Sequence, residues 1–414
     1  MYSQIIRVVL FCLIPMWVLF NSWTNPAWAL TEEQKLLNEA WRIVNQAYLD
    51  ESFNHQNWWT VRDKAIRGNL ENREATYQAI EKMLGSLGDP FTRLLKPDQY
   101  RSLQVSTSGE LMGVGLQIAL DGETGELVVL APIAGSPAEG AGVQPGDRIL
   151  AIDGQMTTGL TLDEAANLMR GPAGTPVTLT LTHESSAEPE AVEIVRDRIV
   201  INPVAAELKS APNGQLIGYI RLSQFSANAT EEVAKAVEKL EKKGAQGYIL
   251  DLRNNPGGLL QAGIEVARLW LEQGAIVYTV NRYGVLDSFD ATHQALTDAP
   301  LAVLVNRGTA SASEILAGAL QDNGRAILVG ERTFGKGLIQ SLFDLSDGAG
   351  LAVTVAKYET PNHTDINRQG ITPDYIQPLD PIRRTQIATE TDRQYQKALE
   401  ILTGKRQEAI GNRQ

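Results

Sequence analysis

Three short apolar runs in the C-terminal half constrain the fold more than any other feature. Residues 248–252, 301–305 and 326–329 are almost unbroken in hydrophobicity, and each is followed by a polar or glycine-rich loop. A strand with one wet face alternates polar and apolar residues. A strand without that alternation is covered on both faces, which implies a mainly parallel sheet between helical layers. The segments around the runs agree. Residues 230–242 and 259–271 have helical periodicity, and a further helix follows Thr309-Ala310-Ser311-Ala312-Ser313-Glu314 and stops at Asn323-Gly324. Residues 216–222 and 351–358 read as additional strands. Residues 196–380 are therefore expected to form an α/β core. In open α/β sheets ligands bind beyond the carboxyl ends of the strands. Three loops leave those ends here: 254–258, 307–314 and 330–337.

The remaining chain has a different texture. Residues 30–104 are expected to be helical: Thr31 with Glu33 and Gln34 can cap a helix bearing Leu36, Leu37, Ala40, Trp41, Val44 and Tyr48. A second stripe, Tyr77, Ile80, Met83, Leu84 and Leu87, stops at Gly88-Asp89-Pro90. Residues 105–195 alternate glycine turns with short strands and one amphipathic helix, 161–169, as a compact mixed α+β module. Within it 183–189 reads as polar loop. Residues 381–414 read as a polar tail ending in a solvated helix. The whole is an α/β multidomain chain.

The first 29 residues read as a secretory signal. Arg7 precedes an apolar run at 8–20, and Ala27-Trp28-Ala29 has the small-x-small form of a cleavage site. The run is short for a membrane span. The single cysteine, Cys12, lies inside this segment, so removal leaves no cysteine for a disulfide, a thiolate nucleophile or a zinc ligand. The 414-residue chain carries a formal charge of −12, against a nucleic-acid protein with a basic face and against electrostatic attraction to an anionic membrane.

The three loops hold the residues best placed for chemistry. Ser311 stands where a strand ends and a helix begins. With Glu314 it fits a capping box, but a helix N-terminus also favours developing negative charge. Local pattern leaves Ser313 and Thr309 as competitors. A serine nucleophile needs a base. None of His55, His183, His293 and His363 lies near the loops in sequence, and Lys336, between Gly335 and Gly337, is the alternative. A free lysine titrates near ~10.4, so service as a base near neutrality requires lowering by roughly three units, about 4 kcal/mol. Gln340, four residues on, can orient the amine without adding negative charge. The backbone amides of Ala312 and of the Pro256-Gly257-Gly258 turn are candidate oxyanion donors. Residues 330–337 nearly match a phosphate-binding loop, but Gly337 replaces the required hydroxyl.

Together, Asp251-Leu252-Arg253-Asn254-Asn255-Pro256-Gly257-Gly258, Gly308-Thr309-Ala310-Ser311-Ala312-Ser313-Glu314 and Gly335-Lys336-Gly337-Leu338-Ile339-Gln340 resemble, in order, the carboxyl-terminal processing peptidases, or tail-specific proteases. Residues 105–195 look like a PDZ domain, with Val114, Gly115 and Leu116 as its carboxylate-binding loop. The resemblance covers about residues 31–380. It implies a serine protease with Ser311 as nucleophile, Lys336 as general base, Gln340 supporting the lysine, and Ala312 and Gly257 as oxyanion donors. Asp251, Arg253 and Glu314 would be supporting charges. The PDZ module would take a free protein or peptide tail by strand addition, with Ile118 and Leu168 lining the pocket. No metal or other cofactor is expected. Within the family the signal and length are closest to the form of the thylakoid lumen that trims a photosystem II reaction-centre precursor. Peripheral contact with membrane-protein substrates would follow. The alternatives are a periplasmic quality-control paralogue and a catalytically silent PDZ scaffold.

Overall fold

The computed structural model describes residues 30–122, 124–183, 186–380 and 382–411. The signal expected at 1–29 lies outside the described residues. The chain divides into two compact units: residues 30–97 with 341–353, and residues 98–340 with 354 onward.

The first unit is built on three helices. Glu32–Ala47 opens with the capping box expected of Thr31, whose partner is Gln34, and buries Leu36, Leu37, Ala40, Trp41 and Val44. Trp58–Ile66 follows, and Arg73–Gly85 buries Tyr77, Ile80, Met83 and Leu84. The strand Arg93–Leu95, in a stretch expected to be helical, pairs antiparallel with residues 350–352. Asp347 accepts from Arg73 Nη1 at 2.6 Å and from the Tyr77 hydroxyl at 2.7 Å, tying the two pieces of this unit together.

The second unit contains the core sheet, with strands in the order β1 (Val204–Ser210), β2 (Leu216–Leu222), β3 (Tyr248–Asp251), β4 (Leu301–Val305), β5 (Ala326–Gly330) and β6 (Tyr375–Ile376). Only β1–β2 is antiparallel. Successive side chains of a strand point to opposite faces. Leu250, Val303 and Leu328 therefore meet the helices α1 (Ala229–Lys242), α2 (Leu260–Arg268) and α3 (Ala312–Asp322) on one side. Ile249, Ala302, Leu304 and Val329 face the other side. Both layers need apolar residues, which is why the runs do not alternate.

The second face is covered by α4 (Arg393–Gly411), whose Tyr395, Ala398, Leu399 and Leu402 are buried against it. The tail expected to be a solvated helix is thus a structural layer. The i, i+3, i+4, i+7 spacing of those four residues was its signal.

Residues 105–195 contain the expected module, with three corrections. Its start falls inside the helix Pro97–Ser108. A short strand, Glu110–Gly113, pairs with Asp197–Val200 just beyond its end. Residues 186–195, partly expected as loop, form a strand antiparallel to Pro176–His183. That strand lies at the sheet margin, where Pro189 and the charges Glu188, Glu190 and Glu193 cost little. The opposite margin is Leu116–Leu120, beside the helix Leu162–Met169. A hairpin passed over in the sequence, Ala275–Asn281 with Gly284–Asp290, is added to the core through residues 357–359 of the strand Gly350–Glu359.

Candidate active site

The three loops all emerge from the carboxyl edge of the parallel strands. Among the competing hydroxyls the structure discriminates by burial. Ser313 Oγ is buried and donates to the Asn255 carbonyl at 3.0 Å. Thr309 Oγ1 is buried and donates to the Leu252 carbonyl at 2.9 Å. Ser311 is half-buried, at the N-cap of α3, and has φ 56° and ψ −120°. A non-glycine residue held there stores about 1–3 kcal/mol of strain. A sharp strand-to-helix turn of this kind also presents the nucleophilic serine in α/β hydrolases. The Glu314 amide bonds to the Ser311 carbonyl at 2.7 Å.

Glu314 is more than a cap. Its carboxylate is fully buried. Oε2 accepts from the amide of Ser311 and from the amide of Lys336, each at 2.9 Å. Oε1 accepts from the Thr333 hydroxyl at 2.5 Å and the Gly335 amide at 2.7 Å. One carboxylate therefore joins the start of α3 to the loop carrying Lys336. Gly335 must be glycine there: with φ 86°, an added Cβ would lie 2.8 Å from the Gly370 nitrogen. The loop after β5 leads into the strand Leu338–Asp344 with no helix, so the phosphate-loop lookalike lacks its helix N-terminus. Gln340 lies on that strand and donates to Thr354 Oγ1 at 3.4 Å.

Gly257 (φ 97°) is pressed against the turn that carries Ser311. A Cβ on it would stand 2.7 Å from the Ala310 oxygen and 3.0 Å from the Ala312 nitrogen. Ala312 is the first residue of α3, and a first-turn amide has no intrahelical acceptor. The Gly257 amide instead donates to Asn255 Oδ1 at 2.9 Å. In this conformation the two expected oxyanion donors are adjacent but not equivalent.

Asp251 and Arg253 are both buried beneath the site. Arg253 Nη2 lies 2.6 Å from Asp251 Oδ2 and 2.8 Å from Asp392 Oδ2. Its Nη1 reaches Asp392 Oδ1 at 2.9 Å and Gln394 Oε1 at 3.1 Å. Burial opposes ionisation of Asp392, but the Arg253 bond and charge outweigh it and hold the carboxyl below its usual range. Tyr219 donates to Asp251 at 2.6 Å, and burial followed by the Asp251 charge pushes its hydroxyl well above the usual tyrosine range.

Three described histidines have carboxylate neighbours of their own. His183 Nδ1 is 2.8 Å from Asp147 Oδ1, His363 Nδ1 is 3.2 Å from Glu359, and His293 Nδ1 is 3.5 Å from Glu272. Among the described residues no group of three or more His, Cys, Asp or Glu is arranged to hold a metal. In the module, Val114 is a buried core residue and Gly115 has φ 82°. Leu116, Ile118 and Leu168 are partly buried against its core. Asp392, Asn255, Thr333 and Tyr358 were missed in the sequence; each acts through a partner remote in the chain or through backbone atoms.

Comparison with known proteins shows the family. The sequence model of Peptidase family S41 matches residues 216–377, and a PDZ domain model matches residues 128–182. A carboxyl-terminal-processing protease of Synechocystis sp. is 63% identical over 383 residues, covering 92% of this chain and 89% of that protein. A chloroplastic carboxyl-terminal-processing peptidase of Arabidopsis thaliana is 46% identical, covering 90% of this chain and 74% of its own. The solved photosystem II D1 C-terminal processing protease matches with a TM-score of 0.55 at 44% identity, covering 84% of this chain and 94% of that one. The chain belongs to peptidase family S41, the serine peptidases. Within it, the chain is a carboxyl-terminal-processing protease with a PDZ domain.

Proposed function

We propose that Ser311 and Lys336 are the catalytic dyad and that the PDZ module delivers a free protein carboxyl terminus to them. The observation that carries this reading is the sharing of Glu314 Oε2 by the Ser311 and Lys336 amides. It fixes the backbones of two residues 25 positions apart at one point beyond the strand ends. Lys336 Nζ, neutral, takes the Ser311 hydroxyl proton as Oγ adds to the scissile carbonyl. The Ala312 amide, at the positive end of α3, receives the developing oxyanion. Gly257 joins it once its amide leaves Asn255. Collapse expels the C-terminal fragment as an amine, which takes the proton from Lys336, and water releases the acyl group by the same steps. Gln340 orients the amine, and Asp251 and Arg253 support the oxyanion loop from below.

Leu116–Leu120 is a sheet margin, and a substrate tail adds to it as a further strand, its carboxylate held by the amides of Val114, Gly115 and Leu116. Ile118 and Leu168 line the adjoining pocket. The substrate in view is the precursor of a photosystem II reaction-centre protein, and the compartment the thylakoid lumen or periplasm. The names of the relatives and the signal-like N-terminus support both.

The test offers an unstructured polypeptide with a free or an amidated carboxyl terminus, reads products by mass spectrometry, and uses Ser311→Ala as control. Cleavage of the free-tail form alone, lost in the variant, is expected. Equal cleavage of both forms removes the tail reading. Activity should climb with pH as Lys336 loses its proton; a flat profile up to about pH 9 would eliminate the lysine base.

A further inference from the structure

The Tyr358 side chain lies in the main core and is 1% exposed. A phenylalanine would fill the same space, so the hydroxyl needs its own explanation. It lies 3.1 Å from the carbonyl oxygen of Ser311 and 2.8 Å from that of Lys336. Both distances are hydrogen-bonding, and one O–H shared between two acceptors keeps the two carbonyl oxygens within about 6 Å of each other. The backbone of the same residue is fixed to the same loop, since the Tyr358 amide donates to the Gly337 carbonyl at 3.0 Å.

With Glu314 the pattern closes. The amides of Ser311 and Lys336 share one carboxylate oxygen, and their carbonyls share one hydroxyl. We infer that Tyr358 is a positioning residue for the proposed dyad, the second jaw of a clamp that holds the Lys336 peptide unit against that of Ser311. The inference deepens the Ser311/Lys336 reading and rests on it. Burial, then the Glu314 and Asp365 charges, raise the Tyr358 hydroxyl well above the usual tyrosine range, so it stays a donor at any working pH.

The Ser311 acceptor is also held from within its own helix. The Ser311 carbonyl also takes the amides of Glu314, at 2.7 Å, and Ile315, at 3.0 Å. Removing the hydroxyl leaves the Ser311 carbonyl with those two helix donors and takes from the Lys336 carbonyl the bond that ties it to the start of α3. That asymmetry separates positioning from general support of the core.

The experiment compares the protein with Tyr358→Phe, which deletes the hydroxyl and keeps the ring. Hydrogen exchange is followed over 333–339 and over α3, together with kcat, KM and thermal midpoint on a free-tail polypeptide. Exchange over 333–339 should accelerate at least about fivefold, with α3 unchanged. kcat should fall at least about tenfold, with KM and the midpoint near their original values. Unchanged exchange, or faster exchange with unchanged kcat, overturns the inference. So does a parallel loss of kcat, affinity and midpoint, which would mark Tyr358 as core support only. If the unaltered protein cleaves nothing, the dyad reading fails. Exchange then decides the clamp alone: acceleration confined to 333–339 upholds it, and unchanged exchange overturns it.

Discussion

Two buried carboxylate clusters lie behind the active-site loops, and they are satisfied in opposite ways. Glu314 is held by neutral donors: three backbone amides and the Thr333 hydroxyl. Asp251 and Asp392 grip a cation, Arg253, from both sides, with the Tyr219 hydroxyl on Asp251 and the Ala388 and Tyr395 amides on Asp392 in addition. The first fixes backbone geometry at the proposed dyad, because its partners include the amides of Ser311 and Lys336, with that of Gly335 beside them. The second fixes one layer of the fold to another, because Asp392 introduces α4. Glu314 should therefore matter most for rate, and Asp392 most for stability.

The largest effect should follow Glu314→Gln. A carboxamide keeps the volume but replaces one acceptor oxygen by a donor, which then faces amide N–H groups. Displacing the proposed dyad by even an ångström is worth about a hundredfold in rate, so kcat should fall by about that much with a modest change in thermal midpoint. A variant that unfolds without losing specific activity would reverse the assignment.

Asp392→Ala should show the opposite profile. It removes one of the two carboxylates on a buried guanidinium, and breaking such a pair costs about 3 kcal/mol. The urea midpoint should drop sharply, while kcat at a temperature where the fold persists stays close to the original. The sign with pH follows from the depressed Asp392 carboxyl. Its stabilisation is present above the ordinary carboxylate pKa and is lost as pH falls through the depressed value. The variant should therefore lack part of the acid destabilisation of the unaltered protein. A kcat loss as large as that of Glu314→Gln would collapse the distinction between the clusters.

The smallest effect concerns the PDZ module. His183 is raised, first by its bond to Asp147 and then by the Asp147 charge, with Glu190 adding to it. A raised histidine stabilises below its ordinary pKa and ceases to as pH rises through the raised value. The midpoint of the module should decline slightly across that interval, and His183→Gln should flatten the decline. No change of slope would mean that the pair exists only at the surface.

The two clusters also differ in how readable they were. Ser311 and Glu314 are three residues apart, so the capping-box spacing placed the carboxylate at the helix start before any tertiary information. Its second set of partners, at 333–336, could not be read, because backbone amides have no residue type. Asp392 is 139 positions from Arg253 and lies in a segment that looked polar. Its helix was expected as a solvated one: the Tyr395, Ala398, Leu399, Leu402 stripe that buries it was passed over, and its charge partner could not be read. Strand order behaved similarly. Unalternating runs required a covered parallel sheet, whereas the hairpin at 275–290 was passed over among the longer elements.

By itself the sequence determined the α/β core and the three loops, and its motifs, through the family resemblance, pointed to the PDZ-like module and to Ser311, Lys336 and Gly257. The core and the loops follow from periodicity, glycine placement and local spacing, which act over a few residues. Tertiary structure alone buried the Ser313 and Thr309 hydroxyls on carbonyl partners and left Ser311 half-buried, because burial depends on which loops meet. It alone turned Gly257's amide toward Asn255, and it alone brought Asp392 to Arg253 and the Tyr358 hydroxyl to two distant carbonyls. Hydrogen bonds and ion pairs act over about 3 Å, and no spacing rule along a chain specifies which remote groups folding will bring that close.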